Sequence, residues 1–271
     1  MSRHRRPRRT VLRVAAQLVV VLALLAGVVG LAIRGFDRTE QVQKPPTPAD
    51  NAAPQREPFF KSRPALLVIT DSMGGGVNDP NIPKNYPQYL AEKMGWDVNV
   101  DGIGATGYVE THLTMDIDKV DRIVPPVIER LDIDAKNYRA DYIVVDVGRN
   151  DFRKDPRVVA PAIDEYLIQL RSRYPKAEIV VTTPLYINTF VPMQHYFLAD
   201  QIRETAAKIG AHVLDPVGEG WWIGIDLSAL WWTDGIHLNS RGAEYYADKI
   251  AEGMRRAGIT GNAESSQGAA P

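Results

Sequence analysis

From Pro64 onward, short apolar runs alternate with longer amphipathic stretches, and this alternation restricts the fold more than any other feature of the chain. The apolar runs fall at 65–70, 97–101, 141–147, 177–183 and 211–215. Helical periodicity occupies 85–94, 120–131, 157–173 and 197–209, with a last stretch at 240–257. Segments such as Tyr142-Ile143-Val144-Val145 and Ile179-Val180-Val181 are apolar at every position, which predicts strands covered on both faces. Strands and helices in alternation require right-handed crossovers and a parallel sheet with helices on both sides. Five such strands predict an α/β fold, a three-layer α/β/α sandwich around a five-stranded parallel flavodoxin-like sheet. Its ligand crevice is expected at the carboxyl ends of the strands.

The chain of 271 residues, 45% hydrophobic and 24% charged, has room for one such domain of roughly 200 residues and further segments besides. A formal net charge of −1 hides an asymmetry: residues 1–34 hold seven arginines and no acid, so the remainder carries −8. A nucleic-acid partner would need a positive globular part, and none is expected. The absence of cysteine excludes disulfides, thiolate catalysis and cysteine-bound metals. Residues 1–13 form a basic head, followed by an uncharged, mostly apolar run over 14–33 that is closed by Arg34. Twenty helical residues rise about 30 Å, the thickness of a bilayer's hydrocarbon core. A cleaved signal peptide has a shorter apolar region and a small-x-small site, which is not found before Arg34. A buried core helix would not follow six arginines. Residues 14–33 are therefore expected to be a single-pass transmembrane signal anchor, with the head cytoplasmic and everything after Arg34 outside. Residues 34–63, containing Lys44-Pro45-Pro46-Thr47-Pro48, are expected to be a Pro-rich linker. The small polar residues 258–271 are expected to be a disordered tail, leaving 64–257 as the folded domain.

Residues capable of chemistry fall where such a fold would gather them. Ser72 follows the first strand in Thr70-Asp71-Ser72-Met73-Gly74-Gly75-Gly76, and Gly102-Ile103-Gly104-Ala105-Thr106-Gly107 follows the second. Gly148-Arg149-Asn150-Asp151 follows the third, and Asp234-Gly235-Ile236-His237 precedes the last helix. Acyl transfer needs a nucleophile, a base, a group that orients the base, and donors for the oxyanion. Ser72 is inert until a base takes its proton, and imidazole, which titrates near neutrality, makes His237 the candidate. Asp234, three residues earlier, is close enough for a loop to bring its carboxylate to the far ring nitrogen. Candidate oxyanion donors are the backbone N–H groups of Ser72 and Gly104 and the amide of Asn150. The run Gly74-Gly75-Gly76 lacks a following Gly-Lys-Ser/Thr and is not read as a phosphate cradle. His112, His195 and His212 show no metal-ligand spacing and are expected on the surface or packed in the core. Asp151 is expected to hold loop structure. Trp231 and Trp232 lie near Asp234 in sequence and, with Arg149, are candidate substrate contacts; for the tryptophans, simple packing is the competing reading.

These four blocks, in this order and at these strand ends, resemble those of the SGNH (GDSL-like) hydrolases over residues 64–257. The resemblance implies a serine esterase acting on acyl esters, lipids or O-acetylated sugars without metal or organic cofactor. It implies Ser72 as nucleophile, His237 as base, Asp234 as its partner, and Gly104 and Asn150 as oxyanion donors. Thr70 and Met73 depart from the usual Gly and Leu of the first block, and Gly102 and Gly107 compete with Gly104 in the second. With the anchor, these features predict an extracytoplasmic esterase on the cell membrane whose substrates are acyl esters of envelope glycan or lipid. An O-acyltransferase passing the acyl group to a sugar hydroxyl, or a non-catalytic envelope-binding module, are the alternatives.

Overall fold

The computed structural model describes residues 63–75, 84–115, 121–186 and 191–261. The expected basic head, transmembrane anchor and linker, up to residue 62, and residues 262–271 of the expected tail lie outside the described residues. Among the described residues, no helix is long and apolar enough to cross a membrane.

The chain runs β1 (Ala65–Thr70), α1 (Ser72–Gly75), α2 (Tyr86–Met94), β2 (Asp97–Gly102), β3 (His112–Met115), β4 (Asp121–Val124), α3 (Val127–Asn137) and β5 (Tyr142–Asp146). A 3-10 helix (Arg149–Arg153), α4 (Pro156–Arg173), β6 (Glu178–Thr182), α5 (Met193–Ile209) and β7 (His212–Leu214) follow. A second 3-10 helix (Leu227–Ala229) and α6 (Ser240–Arg256) complete it. Five strands pair in parallel in the order β2-β1-β5-β6-β7, the sheet expected from the apolar runs. From β1 the chain moves outward to β2, then returns to β5 and builds in the opposite direction. The order therefore reverses between β1 and β5, which opens a crevice beyond the carboxyl ends of those two strands.

Both faces of the sheet are covered. Leu66, Val68, Val144 and Val180 pack with Leu90 and Met94 of α2 and with Tyr246 and Ile250 of α6. Their neighbours Leu67, Ile69, Ile143, Val145, Ile179 and Val181 pack on the other side with Leu131 of α3, Ile163 and Leu167 of α4, and Ile202 of α5. Alternate residues point to opposite faces, so a strand with helices on each side must be apolar throughout.

Two local departures have clear causes. The helix expected over 120–131 begins only at Val127, and residues 121–124 instead pair antiparallel with 112–115. Pro125 and Pro126 are responsible, because a residue before proline is driven into extended conformation and Pro126 itself serves as the helix N-cap. At the other end of the domain, Ile259 is 5% exposed and its N–H donates to the Met254 carbonyl at 2.9 Å. A Cβ on Gly261 would lie 2.5 Å from the Met94 carbonyl oxygen, so packing continues through residue 261.

Candidate active site

Thr70 closes β1 and Asp71 bridges to α1, whose first residue is the half-buried Ser72. The turn is tight: the Gly75 N–H donates to the Asp71 carbonyl at 2.8 Å. Two glycines make it fit against β2. A Cβ on Gly102 would lie 2.5 Å from the Gly75 Cα, and one on Gly75 would lie 2.5 Å from the Gly102 carbonyl oxygen. Ser72 is thereby held against the β2 loop at the carboxyl end of the sheet.

On the opposite side, the loop before α6 delivers Asp234 and His237. Asn239 fixes that loop. Its side-chain oxygen caps α6 by accepting from the Gly242 N–H at 3.0 Å, and its amide donates to the carbonyls of Ala229 (3.0 Å) and Trp231 (2.8 Å). Asp234 Oδ1 accepts from the backbone N–H groups of Ile236 (2.8 Å) and His237 (3.0 Å), leaving Oδ2 for the imidazole. His237 Nδ1 lies 2.5 Å from Asp234 Oδ2, and His237 Nε2 lies 2.8 Å from Ser72 Oγ. A carboxylate only accepts, so Nδ1 carries the ring hydrogen and Nε2 is left as an acceptor for the Ser72 hydroxyl. Burial alone would raise the Asp234 pKa. The imidazole and the two N–H donors outweigh it, and the carboxyl titrates below its ordinary range.

The remaining blocks meet the same turn. Asn150 follows the left-handed Gly148 (φ 105°) beyond β5, and its Nδ2 donates to Asp71 Oδ2 at 3.0 Å and to the Thr106 carbonyl at 2.9 Å. Both amide hydrogens are thus engaged, and donation to a further acceptor requires one of them to be shared. In the β2 loop each glycine has its own reason. Gly102 admits the α1 backbone, and a Cβ on Gly107 would strike the Asp151 carboxylate at 2.3 Å. A Cβ on Gly104 would meet only Ser72 Cβ, at an ordinary 3.6 Å. Among the described residues, therefore, no contact requires glycine at 104. Asp151 is fully buried and accepts from the N–H groups of Tyr108 (2.7 Å), Val109 (3.2 Å) and Glu110 (2.8 Å), which is loop support.

The other candidates are placed less decisively. Arg149 is half-buried, its Nη1 lies 4.0 Å from Met73 Sδ, and among the described residues no carboxylate forms an ion pair with it. Trp231 packs against the core cluster and pairs in an isolated bridge with Leu238. The half-buried Trp232 donates its backbone N–H to the His237 carbonyl at 2.8 Å. His195 is 1% exposed and packs edge-on to Tyr186, as a core histidine. A groove of about 660 Å³ lined by Arg63, Gln88, Trp96 and Asp97 opens at the amino ends of β1 and β2, the far end of the sheet from Ser72.

Sequence reasoning missed Asp71, Thr106, Arg130 and Asn239. Asn239 was legible as an Asn-Ser pair before a helical stretch, a common capping signal. The other three act through contacts 24 to 79 residues away in the chain, which no local pattern reveals.

Residues 69–245 match the model of the GDSL-like Lipase/Acylhydrolase family. The chain is 34% identical over 198 residues to GDSL lipase Rv0518 of Mycobacterium tuberculosis, covering 69% of this chain and 79% of that protein. Solved structures share the fold at lower identity. Salicylyl-acyltransferase SsfX3 of a tetracycline biosynthetic pathway superposes with a TM-score of 0.55 at 19% identity, covering 73% of this chain and 56% of that one. Est24, a carbohydrate acetylesterase from Sinorhizobium meliloti, gives 0.50 at 16%, covering 70% of this chain. The fold and the assembled blocks define a serine ester hydrolase. The chain belongs to the GDSL-like lipase/acylhydrolase family, the SGNH hydrolases.

Proposed function

We propose that the protein hydrolyses acyl esters through a triad of Ser72, His237 and Asp234. The observation that carries this reading is the continuous chain from Ser72 Oγ through His237 Nε2 (2.8 Å) and Nδ1 to Asp234 Oδ2 (2.5 Å). His237 takes the hydroxyl proton as Ser72 Oγ bonds to the ester carbonyl carbon, and Asp234 stabilises the imidazolium that results. The oxyanion is received by the N–H groups of Ser72 and Gly104 and by the Asn150 amide. His237 then returns the proton to the departing alkoxide oxygen as the C–O bond breaks, and a water activated by the same base releases the acyl group. Arg149, close to the residue after the nucleophile, offers a cation to a substrate bearing negative charge, and Trp232 flanks the His237 loop. Trp231 serves mainly as packing.

With residues 14–33 as anchor, the enzyme faces outward from the membrane and acts on acyl esters of envelope lipid or glycan. The apolar run and its arginine-rich flank support this placement. An O-acyltransferase would use the same residues with a sugar hydroxyl in place of water, and SsfX3, described as an acyltransferase, shares the fold. Labelling of the full chain by a fluorophosphonate, lost in Ser72→Ala, is the expected result. Labelling that survives Ser72→Ala would move the nucleophile elsewhere. Product analysis with and without a glycan acceptor separates hydrolysis from transfer.

A further inference from the structure

We infer that Asp71 is a positioning residue for the reaction, its carboxylate anchoring the Asn150 amide to the Ser72 turn so that the oxyanion donors form one rigid unit. The inference rests on the reading of the site given under Proposed function. Asp71 Oδ1 accepts from the Met73 N–H at 2.8 Å, and Oδ2 accepts from Asn150 Nδ2 at 3.0 Å. One side chain therefore ties the segment carrying Ser72 to the segment carrying Asn150, 79 residues away. The same amide nitrogen donates to the Thr106 carbonyl, which brings in the loop of Gly104. That loop is itself braced: the Thr106 hydroxyl donates to the Ile103 carbonyl at 2.8 Å and accepts from Arg130 Nη1 at 3.2 Å, and Arg130 pairs with Asp101 at 2.9 Å.

The capping bond to Met73 does not account for an aspartate here. Asn, Ser or Thr can accept from an N–H two residues on. Asp71 is 2% exposed and lies near a second buried acid, Asp146, so its charge is expensive. Burial, then Asp146, push its pKa up to about 7, against the opposing pull of the Met73 N–H and Arg149. Asp151 adds to the upward push, and the hydroxyls of Tyr186 and Tyr246 also feel the Asp71 charge. A costly buried charge is explained by the bond that only it makes strong, the charge-assisted hold on Asn150. With the amide nitrogen fixed by a carboxylate, an incoming oxyanion has to compete only with the neutral Thr106 carbonyl for the second hydrogen.

The test is a double-mutant cycle in the full-length protein with p-nitrophenyl acetate as substrate, with a cooperative thermal melt required of each variant. Asp71→Asn is expected to lower kcat about 100-fold with KM within about threefold, the signature of an interaction expressed in the transition state. Asn150→Ala is expected to lose a similar factor, and the double variant to be within about threefold of Asn150→Ala alone. Asp71→Ser, whose hydroxyl still caps Met73 but cannot reach Asn150, should match Asp71→Asn and replaces it if that variant does not fold. A double variant whose loss equals the product of the single losses overturns the inference. So does an Asp71→Asn enzyme within threefold of wild type, or loss of the cooperative melt in both Asp71 variants, which would make the carboxylate a folding element. Wild-type turnover that survives Ser72→Ala counts against the reading of the site as a whole, whereas additivity with Ser72→Ala inactive counts against Asp71 alone.

Discussion

At the scale of single residues, the chain gives up stability around Ser72. Asp71 and Asp146 lie in the same buried region, and burial is the largest cause of the upward shift of each. For an acid the sign follows directly. With its folded pKa at about 7 and an unfolded value near 3.8, Asp71 between about pH 4 and 7 retains a proton in the folded state that the unfolded chain releases, and above about pH 7 it is the carboxylate that holds Asn150. Its contribution to stability is therefore full below about pH 4, declines as pH rises, and is lost above about pH 7. Asp71→Asn removes this dependence. The variant should melt with the wild type near pH 4 and be more stable above pH 7, by on the order of 1–3 kcal/mol. Thermal melts from pH 4 to 8 read this out, and a gap that does not widen over that range would contradict it. Ala105 shows a second local cost, a non-glycine residue at φ 56° beside Gly104. Ala105→Gly relieves the left-handed strain and should stabilise the fold by about 0.5–1 kcal/mol in urea melts.

At the scale of elements, the loop after β2 separates Gly102 and Gly107, which close packing requires, from Gly104, where a Cβ would make only an ordinary contact. Gly102→Ala would force a Cβ against the α1 backbone, which cannot yield as a flexible side chain can. It should cost about 1–3 kcal/mol and shift Ser72, lowering stability and activity together. Gly104→Ala meets only ordinary contact and should leave the melt within about 1 kcal/mol of wild type while slowing fluorophosphonate labelling. Equal stability losses in the two variants would refute the distinction. The sequence could not draw it, since Gly102, Gly104 and Gly107 look alike until Gly75 and Asp151 are known to face two of them. The three central strands β1, β5 and β6, in contrast, were legible because a strand buried on both faces is apolar at nearly every position, whereas the edge strands β2 and β7 carry Asp97, Asn99, Asp101 and His212. The β3–β4 hairpin was not, because the helical pattern over 120–131 concealed the break at Pro125 and Pro126. The start of α5 was also hidden: Met193, Tyr196 and Phe197 are 68%, 52% and 59% exposed, so apolar spacing there does not mark a buried face. The pairing of His237 with Asp234 could be read because both residues are local to one loop, whereas the hydrogen bond from Asn150 to Asp71 joins the ends of two strands.

At the scale of the whole molecule, charge and hydropathy divide the chain sharply. Seven positive charges and no acid precede residue 35, and the rest carries −8. A negatively charged body gains nothing from the anionic lipid surface that attracts basic segments. Membrane association in this reading therefore rests on the apolar run over 14–33, with only the arginine-rich head able to add electrostatic attraction. The described residues from 63 to 261 cluster as a unit of their own, and this domain is expected to fold without that run. Full-length protein should accordingly sediment with membranes and resist both high salt and carbonate, because burial of about twenty apolar residues is insensitive to ionic strength and pH. A chain lacking residues 1–34 should be soluble and should retain kcat/KM for p-nitrophenyl acetate within about twofold, since no catalytic group is removed. An alkaline phosphatase reporter joined after residue 34 should be active, as expected of an exported fusion. Release of the full-length protein by high salt would replace the hydrophobic anchor with electrostatic attachment through the arginines. An inactive reporter on a carbonate-resistant chain would reverse the orientation and exclude envelope esters as substrates, leaving the chemistry at Ser72 unchanged.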